Sequence, residues 1–161
     1  MTCRDIELAV ATRFDYRANV IVPNVSWGLF GNGMEVDLVI VRPSGYCVEV
    51  EIKVSAADIK RDRLKHHQHR HRLLRQSWFA VPESLSQHPD IPEAAGVIAV
   101  TENEHGQKYC TAVRAGAINK DAVKLSDKQV RDLGRLAAMR IWTLKAALID
   151  RCRELSELKR K

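Results

Sequence analysis

Residues 35–54 read Glu35-Val36-Asp37-Leu38-Val39-Ile40-Val41, then Arg42-Pro43-Ser44-Gly45, then Tyr46-Cys47-Val48-Glu49-Val50-Glu51-Ile52-Lys53-Val54. Two runs rich in β-branched residues flank a turn made of Pro, Ser and Gly, the pattern of two adjacent strands. Side chains alternate across a strand, so Glu49, Glu51 and Lys53 share one face while Val48, Val50 and Ile52 share the other. Glu35 and Asp37 alternate with Val36 and Leu38 in the same way. If the two arms pair through the turn, Asp37 lies close to Glu51 on one face.

Outward from this hairpin the chain alternates between the two periodicities. Thr2 and Asp5 suit the cap of a first helix over about Cys3–Phe14, with Ile6, Val10 and Phe14 at helical spacing. A β-rich stretch from Arg17 to Val25, interrupted by Pro23, precedes a loop with Gly28, Gly31 and Gly33. After the hairpin, Ser55 and Asp58 open a second helix expected to run to about Leu74. Ser77–Val81 and Gly96–Val100 read as buried strands, and Lys108–Arg114 as an edge strand. Ser126 and Gln129 form a capping box for a long helix with the stripe Val130, Leu133, Ala137, Ile141, Leu144, Leu148, Cys152 and Leu155. The fold class is therefore α/β, a mixed central sheet flanked by helices. Residues 1–125 form the core, and residues 126–161 form a helix that either packs on it or serves as a homodimer seam.

With 161 residues, 45% apolar and 29% charged, the chain suits one globular domain. No apolar run approaches the ~20 residues of a membrane span, and the N-terminus lacks a signal-peptide core. Cys3, Cys47, Cys110 and Cys152 are far apart, which fits free thiols in a reducing cytoplasm better than zinc or a disulfide framework. The net charge of +6 and pI near 9.3 make a polyanion a candidate partner.

Asp37 and Glu51 converging on one face would make a hard, oxygen-rich site suited to Mg²⁺ or Mn²⁺, with the backbone carbonyl of Ile52 between the acid and the lysine as a further ligand. Lys53 projects from the same face, where its ammonium can position a nucleophile or offset charge on a phosphate. The same Glu-x-Glu-x-Lys pattern also describes an ordinary solvent-exposed strand face with cross-strand charge pairs.

Asp37, the Glu51-Ile52-Lys53 element and the helix-opening Ser55 and Asp58 resemble the PD-(D/E)xK nuclease superfamily. Within it, the run Glu51–Asp58 followed by Asp62 and Trp78–Pro82 is similar to MmcB-type DNA repair proteins and their phage relatives. The resemblance covers about Cys3–Val81. It implies a restriction-endonuclease-like αβββαβ core, with Asp37, Glu51 and Lys53 catalytic and a Mg²⁺-dependent DNA endonuclease activity in repair, recombination or a mobile-element pathway. Glu7 resembles the first-helix glutamate that many members add to the metal shell, and Glu49 is a second candidate there. Val36 stands where the superfamily's signature has proline, and two acids rather than one precede Lys53. A catalytically inactive DNA-binding or assembly module on the same scaffold remains the alternative.

Lys60–Arg75 holds seven Lys or Arg and four His against the single Asp62. Lys60, Arg61, Arg63, Lys65, Arg70 and Arg72 could track a phosphate backbone, or simply form a solvated face. His66, His67, His69 and His71 lack an acid or cysteine at ligand spacing for zinc. Trp27 and Phe30 in the glycine loop could stack on bases or fold into the core.

Overall fold

A computed structural model of the chain describes residues 1–26, 28–31, 34–62 and 71–160. Helix α1 (Cys3–Arg13) is followed by strands β1 (Val20–Val25), β2 (Val36–Val41) and β3 (Cys47–Ile52), helix α2 (Ala56–Asp62) and strand β4 (Leu74–Pro82). A 3₁₀ turn, Glu83–Leu85, leads to β5 (Gly96–Glu102), β6 (Lys108–Arg114) and helix α3 (Asp127–Leu158). The strands lie in sequence order in one six-stranded sheet. Pairing is antiparallel between β1, β2 and β3, parallel from β3 through β4 to β5, and antiparallel again for β6.

Local chemistry explains the elements. The Thr2 backbone N–H donates to the Asp5 carboxylate at 2.6 Å while the Thr2 hydroxyl accepts from the Asp5 N–H, closing a capping box on α1. At the hairpin, Gly45 takes φ +84°, a left-handed conformation that costs a glycine little. Its N–H donates to the Arg42 carbonyl at 2.8 Å. Pro23 is tolerated within β1 because β1 is an edge strand.

Each face of the sheet has its own core. On one, Ile6, Val10 and Phe14 of α1 bury against Leu38, Ile40, Val48, Val50, Ile52, Ala80 and Val100. On the other, Leu125 and Leu133 cover Val39, Val41 and Cys47, while Ile59 of α2 joins Phe79, Val81, Ile91 and Val97. Each fully buried aliphatic side chain here contributes about 1.5–3 kcal/mol of hydrophobic stabilisation.

Two expectations need correction, and one open alternative is decided. The second helix does not reach Leu74: among the described residues α2 covers Ala56–Asp62, Arg72 and Leu73 form a turn, and Leu74 already belongs to β4. Leu73 and Leu74 are buried against the sheet core, which sets them in the strand layer rather than on the expected helix, while residues 63–70 of the charged run lie outside the described residues. The strand before Val25 begins at Val20, because residues 15–19 turn with Asp15 at φ +53°. Phe30 is buried, 6% exposed, edge-on to His71 at 5.3 Å between ring centroids, and so belongs to the core. Trp27 lies outside the described residues.

The long helix begins with the expected Ser126–Gln129 capping box. Its first turns pack through Val130, Leu133, Leu136 and Ala137, and Arg140 donates to the Asn24 carbonyl. Beyond that point Ile141, Trp142, Leu144, Leu148 and Leu155 are exposed. At 1.5 Å per residue its 32 residues extend about 48 Å.

Candidate functional site

The hairpin register pairs Leu38 with Val50 and Val39 with Glu49; one further step sets Asp37 across from Glu51. The parallel pairing of β3 with β4 then sets Ser77 beside Glu49 and Phe79 beside Glu51. Glu49 and Glu51 thus line the seam between the two apolar clusters of one sheet face. They are 0% and 1% exposed, and Lys53 is 8% exposed. The ordinary solvated-strand reading of Glu-x-Glu-x-Lys is thereby overturned: these charges are held in the interior, where each needs a partner.

Those partners define the site. Lys53 Nζ lies 2.6 Å from Glu51 Oε2 and 2.8 Å from Asp62 Oδ1, so the ammonium is clamped between β3 and the end of α2. Asp62 is itself only 5% exposed. The Ile52 N–H donates to Asp37 Oδ2 at 2.7 Å, tying the carboxylate of one hairpin arm to the backbone of the other. The Ser77 hydroxyl donates to Glu49 Oε2 at 2.7 Å. Ser55 and Asp58 bond reciprocally at the start of α2: the hydroxyl donates to Asp58 Oδ2 at 2.8 Å and accepts from the Asp58 N–H at 3.2 Å.

The electrostatics follow. Burial pushes the Glu51 carboxyl above the usual glutamate range, and Asp37 and Glu49 add to the push, against the pull of Lys53. Lys53 stays charged: although burial disfavours its ammonium, Glu51 and Asp62 hold its pKa above the ordinary lysine range. Glu7, half-buried in α1, is raised by burial and by the negative charge of Asp37, while Arg140 of α3 draws it down. Asp37 therefore sits within electrostatic reach of Glu51 and Glu7 alike.

Lys60 and Arg61 are exposed on α2, with Arg61 paired to Asp58, and Arg72 is exposed in the turn before β4 rather than on a helix. Arg63, Lys65, Arg70, His66, His67 and His69 lie outside the described residues. A cavity of about 760 Å³ borders the site, lined by Asp62, His71, Arg72, Arg75 and Ser77 among others. Sequence reasoning missed roles for Ser77, Asp62 and Arg140. Asp62 carried a signal, since it stands three residues after the apolar Ile59 and so shares the inward face of α2.

Among the described residues, no three His, Cys, Asp or Glu side chains form a ready metal-binding group. Also among them, no helix is long and apolar enough to cross a membrane.

No family model and no curated protein matches the chain. A solved structure of a protein of unknown function from Silicibacter pomeroyi is similar over 93% of this chain and 92% of its own, at 19% identity and a TM-score of 0.63. That likeness concerns the fold alone.

Proposed function

We propose that the protein is a divalent-metal-dependent DNA endonuclease that hydrolyses phosphodiester bonds in a repair, recombination or mobile-element pathway. The observation that carries this reading is the buried line Glu49-x-Glu51-x-Lys53 with Asp37 across the hairpin from Glu51. The element order α1-β1-β2-β3-α2-β4 supports it further, because the PD-(D/E)xK resemblance implies that order.

The donor set fits a hard cation. Glu51 is pushed up by burial and by the negative charges of Asp37 and Glu49, a crowding that a divalent ion would relieve. Mg²⁺ characteristically takes one or two carboxylates plus substrate phosphate and water rather than an all-protein cage, so two facing acids suffice. Asp37 and Glu51 would hold it with the Ile52 carbonyl, while Glu7 and Glu49 would have to move to add further oxygen donors, since no three acids among the described residues are already grouped. When bound, the ion supplies Lewis-acid charge and a water of lowered pKa.

The chain's own groups do the rest. The Ile52 N–H fixes one Asp37 oxygen, which holds the carboxylate against the β3 backbone beside Glu51. Lys53 keeps a permanent positive charge beside the acids, suited to orienting the attacking water and offsetting charge on the phosphate. Exposed Lys60, Arg61 and Arg72 add a basic border for the DNA backbone, and Arg63, Lys65 and Arg70 extend it in the sequence.

The test is cleavage of single-stranded, branched and duplex DNA in Mg²⁺ or Mn²⁺ with EDTA controls. The wild type should cut at least one form only with metal, and Lys53→Ala should slow it by about 10²–10³-fold. Metal-independent cutting, or cutting unchanged by the substitution, would remove the mechanism. The direct Lys53–Glu51–Asp62 contact also favours a second reading, a DNA-binding module in which this triad is only an internal ionic tie. Salt-sensitive DNA binding with no cleavage in either metal would select it.

A further inference from the structure

Lys53 has two acidic partners from different elements, and only one of them belongs to the metal site proposed above. We propose that Asp62 is a positioning residue that regulates cation uptake there: it is the reserve counter-ion that lets Lys53 release Glu51 when a divalent cation arrives. The inference rests on the metal-site reading and extends it to a residue that would not touch the ion.

The geometry sets up a competition. The Lys53 ammonium lies 2.6 Å from Glu51 Oε2, close enough to claim a lone pair that a cation would need. Two cations on one carboxylate repel each other even when each takes a different oxygen, so uptake of a divalent ion weakens this contact. With Glu51 as its sole partner, a lysine only 8% exposed would then be left buried and uncompensated. Asp62 prevents that. Its Oδ1 holds the same ammonium at 2.8 Å, and it comes from α2 rather than from the hairpin that carries Asp37 and Glu51. An ammonium has three donors, so both contacts can form together and the Asp62 contact can persist alone.

Neutralising Asp62 should therefore weaken metal binding without removing any ligand. In Asp62→Asn, Lys53 depends wholly on Glu51 and resists the cation. Outer groups that orient metal ligands typically alter affinity by about 10–100-fold, and a rise of that order in the Mn²⁺ dissociation constant is expected here. The sign should reverse when the competitor is removed: Lys53→Met in the Asp62→Asn background should restore affinity to the wild-type value or better. A merely structural role for Asp62 does not predict that recovery. Asp62→Glu, which keeps the charge, should stay close to wild type.

The experiment is Mn²⁺ titration of the full chain without DNA, followed by the spin-resonance signal of the free ion. Weak binding by Asp62→Asn and recovery in the double variant support the proposal. Wild-type affinity in Asp62→Asn, or a double variant that binds more weakly than wild type, overturns it while leaving the metal site standing. A wild type that takes up no Mn²⁺ overturns both. Should Asp62→Asn fail to fold by circular dichroism, the double variant and Asp62→Glu decide the matter, because the first removes both charges and the second keeps them.

Discussion

Glu7 sits in α1 where burial and Asp37 both disfavour its charge. A carboxyl whose pKa is raised on folding binds its proton more tightly in the native state, so its contribution to stability falls as pH climbs above the ordinary glutamate value of about 4.3. Glu7→Gln should accordingly keep or raise the melting temperature at pH 7, and the difference should fade towards pH 4. A fall in melting temperature at pH 7 would show that Glu7 is a structural partner rather than a strained donor. Lys53 has the same sign in a more alkaline window. Its pKa is raised by Glu51 and Asp62, so the stability it supplies is complete below the free lysine value of about 10.4 and is lost as pH rises beyond that. Wild type should lose stability in alkali, and Lys53→Met should flatten that limb of the pH profile. An equally steep alkaline loss in the variant would contradict the clamp.

Among the elements, β4 and β5 meet so closely that one position admits no side chain. A Cβ added at Gly96 would come 2.3 Å from Cε3 of Trp78, whose ring also meets Phe14 edge-on at 6.4 Å. Gly96→Ala must push that ring aside, and a loss of about 1–3 kcal/mol in denaturant unfolding is expected. No measurable loss would mean that Trp78 is free to move. The hairpin and α3 were legible in the sequence because their signals are local: alternation, a Pro-Ser-Gly turn, and a Ser–Gln capping box. The strand placement of Leu74 was not, since Leu73 and Leu74 are claimed by a core built from distant residues. The partners of the site were hidden for the same reason. Alternation put Glu49, Glu51 and Lys53 on one face, but the register of the β3–α2–β4 crossover decides that Ser77 and Asp62 meet them. Burial of that face was the feature the pattern left ambiguous, because solvated and interior charge pairs share one spacing.

For the molecule as a whole, stability and the outer part of α3 are separable. Leu133 is the buried anchor of the helix, whereas Leu144, Leu148 and Leu155, on the stripe whose alternatives are packing on the core or a dimer seam, are exposed. Removing residues 145–161 should shift the melting temperature by less than about 2 °C, while Leu133→Ala should cost about 2–5 kcal/mol. A large shift on truncation would show that the outer turns are covered in solution. The central claim concerns the hairpin, where Asp37, Glu51 and Lys53 gather. Nicking of supercoiled DNA in Mg²⁺ by the wild type and by folded Asp37→Ala tests it most directly. The account predicts metal-dependent nicking by the wild type that disappears in the variant; equal nicking by the two proteins, or none by the wild type, would contradict it.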